Sequence, residues 1–66
     1  MARNLRVLRR LKGLSQEELA FQAGINRNYV WQIEREEKSP TIDILEKLAV
    51  ALDEKPVEFF LPLGRR

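Results

Sequence analysis

The chain has 66 residues, of which 44% are hydrophobic and 33% charged, with a net charge of +2 and neither cysteine nor histidine. A chain of this length forms one domain, and its apolar content is sufficient for a compact core. The missing residue types exclude disulfide frameworks, the usual zinc sites and the commonest general base, and they favour a cytoplasmic protein. No apolar run approaches the roughly 20 residues that cross a bilayer, so we expect no membrane partner.

The first predicted helix covers residues 2–12 and is amphipathic. Its apolar residues share one side at a period of 3.6 residues: Leu5, Val7, Leu8 and Leu11. The other side carries a row of arginines: Arg3, Arg6, Arg9 and Arg10. Residues 39–60 are predominantly acidic among their charged side chains. The arginine-rich first helix therefore suits a polyanionic partner, whereas the acidic segment of residues 39–60 does not.

Two short helices hinged at one glycine follow. Ser15, with Glu18 three residues later, forms a capping box, which predicts a second helix that ends near Ala23. Leu19, Ala20 and Ala23 form its buried stripe. Gly24 supplies the positive φ of a tight turn, and Asn26 caps the third helix. Residues 15–35 thus have the layout of a helix-turn-helix.

The third predicted helix has two different faces. Val30 and Ile33 repeat at the spacing of a buried face. The opposite face carries larger and mostly polar side chains: Arg27, Asn28, Trp31, Gln32 and Arg35. Arginine pairs with guanine, and asparagine or glutamine with adenine, in the major groove, although a solvated polar face is the simpler alternative. Trp31 is predicted either to contact a thymine methyl or a sugar, or to pack on a neighbouring helix.

The last third of the chain predicts two more helices. Thr41 caps a fourth helix, whose apolar stripe is Ile42, Leu45, Leu48, Ala49 and Leu52. Pro56 begins a short fifth helix that extends through Phe60. Residues 56–63 contain more apolar side chains than so short a helix can bury, so we expect a dimerisation segment here. Phe60 is assigned to the core, and the predicted dimer interface consists of Val57, Phe59, Leu61 and Leu63.

These motifs resemble the phage repressor and Cro type of helix-turn-helix regulators, the Xre-like family, over about residues 4–60. The resemblance is carried by residues 8–9, 13–20, 24–25, 29–30, 33–35, 40–42 and 45–52. The run Arg27-Asn28-Tyr29 is also similar to controller proteins of restriction-modification systems. Two positions depart from the family pattern: Glu36 stands where glycine is usual, and Phe21 where a polar residue is usual.

The resemblance implies an all-α, compact five-helix domain over residues 1–66 that regulates transcription as a homodimer on a palindromic operator in double-stranded DNA. No cofactor and no small-molecule ligand are expected. The resemblance places the base contacts at Arg27, Asn28 and Gln32, and a structural ion pair between Arg9 and Glu34. The expected contacts to the DNA backbone are Gln16, which begins the second helix, and Tyr29, Arg35 and Lys38.

Other functions make different predictions. An enzyme is disfavoured because the sequence has no histidine, no cysteine and no glycine-rich phosphate loop, and because its carboxylates are placed on helix surfaces. An antitoxin of the same family would bind a toxin and also repress its own promoter. An RNA-binding or purely structural bundle would be insensitive to duplex sequence and to changes at residues 27, 28 and 32.

Overall fold

The computed structural model describes residues 1–63, which contain four α-helices and one short 3₁₀ helix. The helices are α1 (Ala2–Leu11), α2 (Gln16–Ala23), α3 (Arg27–Glu34), α4 (Ile42–Leu52) and the 3₁₀ helix (Pro56–Phe59). No strand occurs in this part of the chain, so the all-helical prediction is confirmed. The fifth predicted α-helix is instead a 3₁₀ helix of four residues, which is too short to gain from a ladder of i→i+4 hydrogen bonds.

The helices begin where capping residues were predicted. The backbone N–H of Glu18 donates to the Ser15 hydroxyl at 3.0 Å, and the Ser15 N–H donates to the Glu18 carboxylate at 2.9 Å, which completes the capping box of α2. The Asn26 side chain accepts from the Asn28 N–H at 2.8 Å and caps α3. Thr41 caps α4 in the same way. Local capping chemistry therefore determines where three of the helices start.

The ends of α2 and α3 both use a left-handed residue. Gly24 has φ 71°, as the tight turn between α2 and α3 requires. Glu36 has φ 60° although it is not glycine. Its N–H donates to the Ile33 carbonyl at 3.0 Å, and the Glu37 N–H donates to the Gln32 carbonyl at 2.8 Å. These two bonds close a Schellman motif, so Glu36 adopts the conformation for which the family usually uses glycine.

The core is formed by apolar residues from all five elements. Its buried members are Leu5, Leu8, Leu19, Ala20, Ala23, Val30, Ile33, Leu48, Ala49, Leu52 and Phe59. Two residues expected on buried stripes are exposed, Leu11 at 68% and Ile42 at 76%. Leu11 is the last residue of α1 and Ile42 the first of α4. Helical periodicity gives the correct side of the helix there, but no neighbouring element extends far enough to cover it.

The two phenylalanines near the carboxyl end exchange the roles that the sequence predicted. Phe59 is fully buried, whereas Phe60 is 60% exposed. Successive residues of a 3₁₀ helix are rotated by about 120°, so neighbouring side chains cannot both face the core. The Asn4 amide donates to the carbonyls of Glu58 and Leu61 at 3.0 and 2.7 Å. These bonds tie α1 to the chain on both sides of the two phenylalanines.

None of the helices described in residues 1–63 combines the length and the apolar character that a bilayer crossing demands.

Candidate nucleic-acid interface

One face of α3 is open to solvent. Its exposed residues are Arg27, Asn28, Trp31 and Arg35, and its buried residues are Val30, Ile33 and Glu34. At 3.6 residues per turn, Trp31 and Arg35 lie at the middle of the exposed face, and the half-buried Gln32 lies at its border. The predicted face therefore exists, but its centre is Trp31 rather than the polar residues chosen from the sequence.

A groove of about 560 Å³ lies where the amino-terminal ends of α2 and α3 meet. It is lined by Arg9, Ser15, Gln16, Glu17, Arg27, Asn28 and Trp31. The structure thus brings two predicted base contacts together with Gln16, the predicted phosphate contact on α2. Gln32 does not line this groove. Three lining residues carry a formal charge, and Trp31 is the single apolar side chain among them.

Beneath this groove lies a buried ion pair between Arg9 and Glu34, the pair that the family resemblance implied. The Arg9 Nε and Nη2 donate to the two Glu34 carboxylate oxygens at 2.7 and 3.1 Å, which is a bidentate geometry. Glu34 is only 3% exposed and Arg9 8%. The Arg9 Nη1 also donates to the Leu14 carbonyl at 2.9 Å. The pair therefore connects α1 to the end of α3 and to the loop that precedes α2.

Two further side chains complete the surroundings of Glu34. The Gln16 amide donates to Glu34 Oε1 at 3.0 Å, and Arg6 donates to the Glu34 backbone carbonyl at 2.8 Å. Burial acts to raise the pKa of Glu34, but the hydrogen bonds from Arg9 and Gln16 and the charges of Arg9 and Arg6 outweigh it, so the pKa is lowered. Glu34 is consequently ionised at neutral pH and ties three helices together.

The hydrogen bond between Gln16 and Glu34 changes what can be expected of Gln16. The sequence assigned this side chain to a phosphate, whereas in the structure one of its N–H groups is directed inward. A side-chain amide has two N–H donors. Contact with a phosphate is therefore compatible with the hydrogen bond to Glu34, and this bond would hold the amide in place at the amino-terminal end of α2.

Arg27 has a partner that the sequence analysis missed. Its Nη1 lies 2.7 Å from a carboxylate oxygen of Glu17, and both side chains are mostly exposed, at 67% and 72%. The two residues are ten positions apart and belong to the first turns of α2 and α3. The contact depends on how α2 and α3 are placed side by side, which the sequence pattern does not show.

The remaining predicted backbone contacts are Tyr29 in the first turn of α3 and Arg35 and Lys38, which follow this helix. The Lys38 ammonium lies 5.0 Å from the centroid of the Tyr29 ring, which is half-buried against the core. The Arg35 guanidinium lies 4.8 Å from the centroid of the Trp31 ring, and its Nε lies 2.7 Å from a Glu37 oxygen. All of these cations are near α3, but each already has an aromatic or acidic neighbour.

The predicted dimer interface at residues 56–63 needs one correction. The assignment of Phe59 to this interface is wrong, because Phe59 is fully buried and packs in the core. Val57 and Leu61 are 51% and 43% exposed, and Leu63 is half-buried against the core. Phe60, which the sequence assigned to the core, lies on the surface with Val57 and Leu61. The segment therefore presents an apolar surface whose composition differs from the predicted one.

Two short capped helices joined by a tight glycine turn, with the second helix anchored by a buried ion pair and exposed on its other face, are typical of helix-turn-helix proteins. The model of the helix-turn-helix family matches residues 5–59, and the chain belongs to this family. It is 47% identical to the restriction-modification controller protein C.AhdI from Aeromonas hydrophila, with a TM-score of 0.87 and coverage of 89% of both chains.

Two curated relatives are also similar. A hypothetical transcription factor of Neisseria meningitidis is 42% identical over 66 residues, and the control protein C.SmaI of Serratia marcescens is 42% identical over 53 residues. The matches cover 100% and 80% of this chain, which spans 62% and 63% of those proteins. The predicted similarity to controller proteins is confirmed. The family and fold are those of DNA-binding transcription regulators and not of enzymes.

Proposed function

We propose that this transcription regulator is of the restriction-modification controller type and acts in the cytoplasm as a homodimer on a palindromic operator. In this proposal α3 enters the major groove. The observation that carries it is the open face of α3 beside the groove formed with α2, where Arg27 and Asn28 lie next to Gln16. The likeness to C.AhdI and C.SmaI supports the controller type.

The roles of the side chains follow from their hydrogen-bonding groups. Arg27 would donate two bonds to a guanine, and Asn28 and Gln32 would each pair with an adenine. Asn28 and Gln32 are four residues apart and therefore follow one another along α3. Gln32 would contact bases from the edge of the exposed face, because it is half-buried and lies outside the groove.

The backbone contacts would flank these base contacts on both sides. Gln16 would donate to a phosphate near the amino-terminal end of α2, where the helix dipole favours an anion. Tyr29, in the first turn of α3, and Arg35 and Lys38, which follow this helix, would approach other phosphates. Such contacts position a protein on the duplex without specifying sequence, so their loss should weaken binding to all duplexes to the same degree.

Two observations support dimerisation, the size of the chain and its exposed apolar surface. The described residues extend over 30 × 22 × 19 Å, and successive half-sites on one side of the duplex are about 34 Å apart. One copy therefore covers one half-site. Val57, Phe60 and Leu61 lie together near the carboxyl end of the described chain and offer an apolar contact surface to a second copy.

Selection of bound sites from a random duplex pool tests the proposal. We expect an enriched near-palindrome whose half-sites are about one helical turn apart. A pool without any enriched sequence would contradict sequence-specific binding, and a single unrepeated half-site would contradict the dimer. The position of the selected site in the source genome tests the controller type, which predicts a location upstream of restriction-modification genes.

Sedimentation at micromolar concentration tests the dimer separately. We expect a mass of about twice 7.8 kDa for the unchanged chain, and the monomer mass for Phe60→Asp. The matched control is Ile42→Asp, which replaces an exposed apolar residue at the amino-terminal end of α4, where an acidic residue suits the helix dipole. A 7.8 kDa species from the unchanged chain would count against the dimer.

A further inference from the structure

Trp31 is the only tryptophan of the chain and occupies the centre of the open face of α3. It is 43% exposed and does not belong to the buried core. Its indole is a large apolar group among charged and polar neighbours, beside the groove between α2 and α3. Of the two readings left open by the sequence, packing on a neighbouring helix or contact with DNA, the exposed part of the indole supports the second.

The indole is held in place from one side. The Arg35 guanidinium lies 4.8 Å from the ring centroid, and Arg35 is in turn held by Glu37 at 2.7 Å. A cation over the face of an indole is attracted by the ring quadrupole. Arg35 therefore covers part of the ring and reduces its freedom, while the ring also lines the groove between α2 and α3.

We propose that Trp31 is a specificity-determining residue whose indole contacts the C5-methyl group of a thymine in the operator, an inference that rests on the proposed function. Base edges in the major groove offer mostly hydrogen-bond donors and acceptors, and their one apolar group is the thymine methyl. Trp31 is the one apolar side chain that lines the groove, among charged and hydrogen-bonding neighbours. The indole of Trp31 and the thymine methyl group are thus both apolar groups in polar surroundings, so contact between them is favourable.

The spacing along α3 limits where this thymine lies. Trp31 follows Arg27 by four residues, which is about one turn or 6 Å along the helix axis. Base pairs are stacked about 3.4 Å apart. The thymine should therefore be within about two base pairs of the guanine that Arg27 contacts, and a twofold symmetric operator should contain it once in each half-site.

Replacement of single thymines by deoxyuridine tests the inference, because uracil lacks only the methyl group and keeps the same hydrogen-bonding pattern. In the selected duplex, replacement of this thymine in one half-site should weaken binding of the unchanged protein about fourfold, the value of one buried methyl-sized group. The same replacement should change binding of Trp31→Ala by less than about 1.5-fold. Cytosine placed at this position should regain part of the affinity when it is methylated at C5.

Phe21→Ala is the matched control. Phe21 is an aromatic residue on α2 that is 85% exposed, so its loss should leave both the affinity and the response to deoxyuridine unchanged. Circular dichroism melting of both alanine variants verifies that they fold. The fluorescence of the single tryptophan provides an independent measurement, since burial against a methyl group should shift its emission to the blue on the selected duplex and less on the deoxyuridine duplex.

The inference is overturned if deoxyuridine has no effect at any thymine, if Trp31→Ala responds to it as the unchanged protein does, or if the selected half-site contains no thymine. Each of these results leaves the proposed function intact provided that a preferred site is enriched from the pool. A pool without enrichment would contradict the proposed function itself.

Discussion

Two ion pairs that involve α3, one buried and one exposed, have the same shortest distance between charged atoms but different surroundings. The Arg9–Glu34 pair and the Arg27–Glu17 pair each have a nitrogen–oxygen distance of 2.7 Å. The side chains of the first pair are 10% and 3% exposed, and those of the second are 67% and 72% exposed. Distance alone would assign them the same importance.

Their surroundings give them opposite functions. A buried pair is costly to break on one side, because the remaining charge stays in the interior without a partner. An exposed pair contributes little to folding and can exchange its partner for an anion of DNA or for a base edge. The Arg9–Glu34 pair is therefore structural and fixes how α1, α2 and α3 meet, whereas the Arg27–Glu17 pair is available for recognition.

The largest expected effect is on stability. Glu34→Ala should lower the free energy of unfolding by about 3–5 kcal/mol, because it leaves the Arg9 guanidinium buried and unpaired. Glu17→Ala is the matched control and should change it by less than about 1 kcal/mol. Urea denaturation of both variants measures the difference. Equal losses in the two variants would contradict the contrast between the pairs.

The same pair should contribute to acid sensitivity. The pKa of Glu34 is lowered in the folded chain because hydrogen bonds from Arg9 and Gln16, with the nearby arginine charges, outweigh burial. Its contribution is therefore present above the ordinary glutamate pKa of about 4.3 and is lost as the pH falls through the lowered value. Melting temperatures between pH 7 and pH 3 should decrease in this range.

Glu34→Gln should flatten this acid dependence, since the amide cannot be protonated there. Glu18 provides the comparison on the surface. Hydrogen bonds from the Ser15 backbone and from the Ser15 side chain lower its pKa as well, but its exposure leaves less free energy to lose. An acid profile that remained the same in Glu34→Gln would show that other carboxylates cause the decrease.

A third prediction concerns the carboxyl-terminal end of α3 and involves neither ion pair. Glu36→Gly should raise the free energy of unfolding by about 1 kcal/mol, because Glu36 holds a left-handed conformation that glycine adopts without steric cost. Gly24→Ala should act in the opposite direction by a similar amount, although a Cβ atom there would meet no neighbour. Thermal melting measures both, and DNA affinity should not change with Glu36→Gly.

The smallest expected effect concerns DNA binding. Glu17→Gln removes the carboxylate that holds Arg27, so Arg27 becomes free to contact any phosphate. We expect affinity for an unrelated duplex to rise about threefold at low salt, with less gain on the selected operator. Fluorescence anisotropy titrations on both duplexes give the ratio. An unchanged ratio would mean that Glu17 has no role in orienting Arg27.

The sequence predicted those parts of the fold that depend on neighbouring residues. Caps at Ser15, Asn26 and Thr41 and the turn at Gly24 gave the helix starts and the hinge, because capping hydrogen bonds join residues two or three positions apart. The Arg9–Glu34 pair came from the family resemblance, since nothing local connects two residues that are 25 positions apart.

What the sequence could not predict depends on the assembled helices. Phe59 rather than Phe60 is buried in a segment that is held by residues distant in sequence, since Asn4 of α1 donates to the carbonyls of Glu58 and Leu61. The contact of Glu17 with Arg27, and the hydrogen bond that directs Gln16 inward, arise only when α2 and α3 are placed side by side. Composition and periodicity contain no information about such contacts.

The most direct test of the account is the ratio of affinities for the selected operator and for an unrelated duplex in the triple variant Arg27→Ala, Asn28→Ala, Gln32→Ala. The control is the double variant Gln22→Ala, Lys47→Ala, which removes one amide and one positive charge from exposed positions on α2 and α4. We expect the triple variant to fold and to lose most of the preference, and the control to keep it. A triple variant that retained the full preference would contradict the assignment of α3 as the DNA-recognition helix.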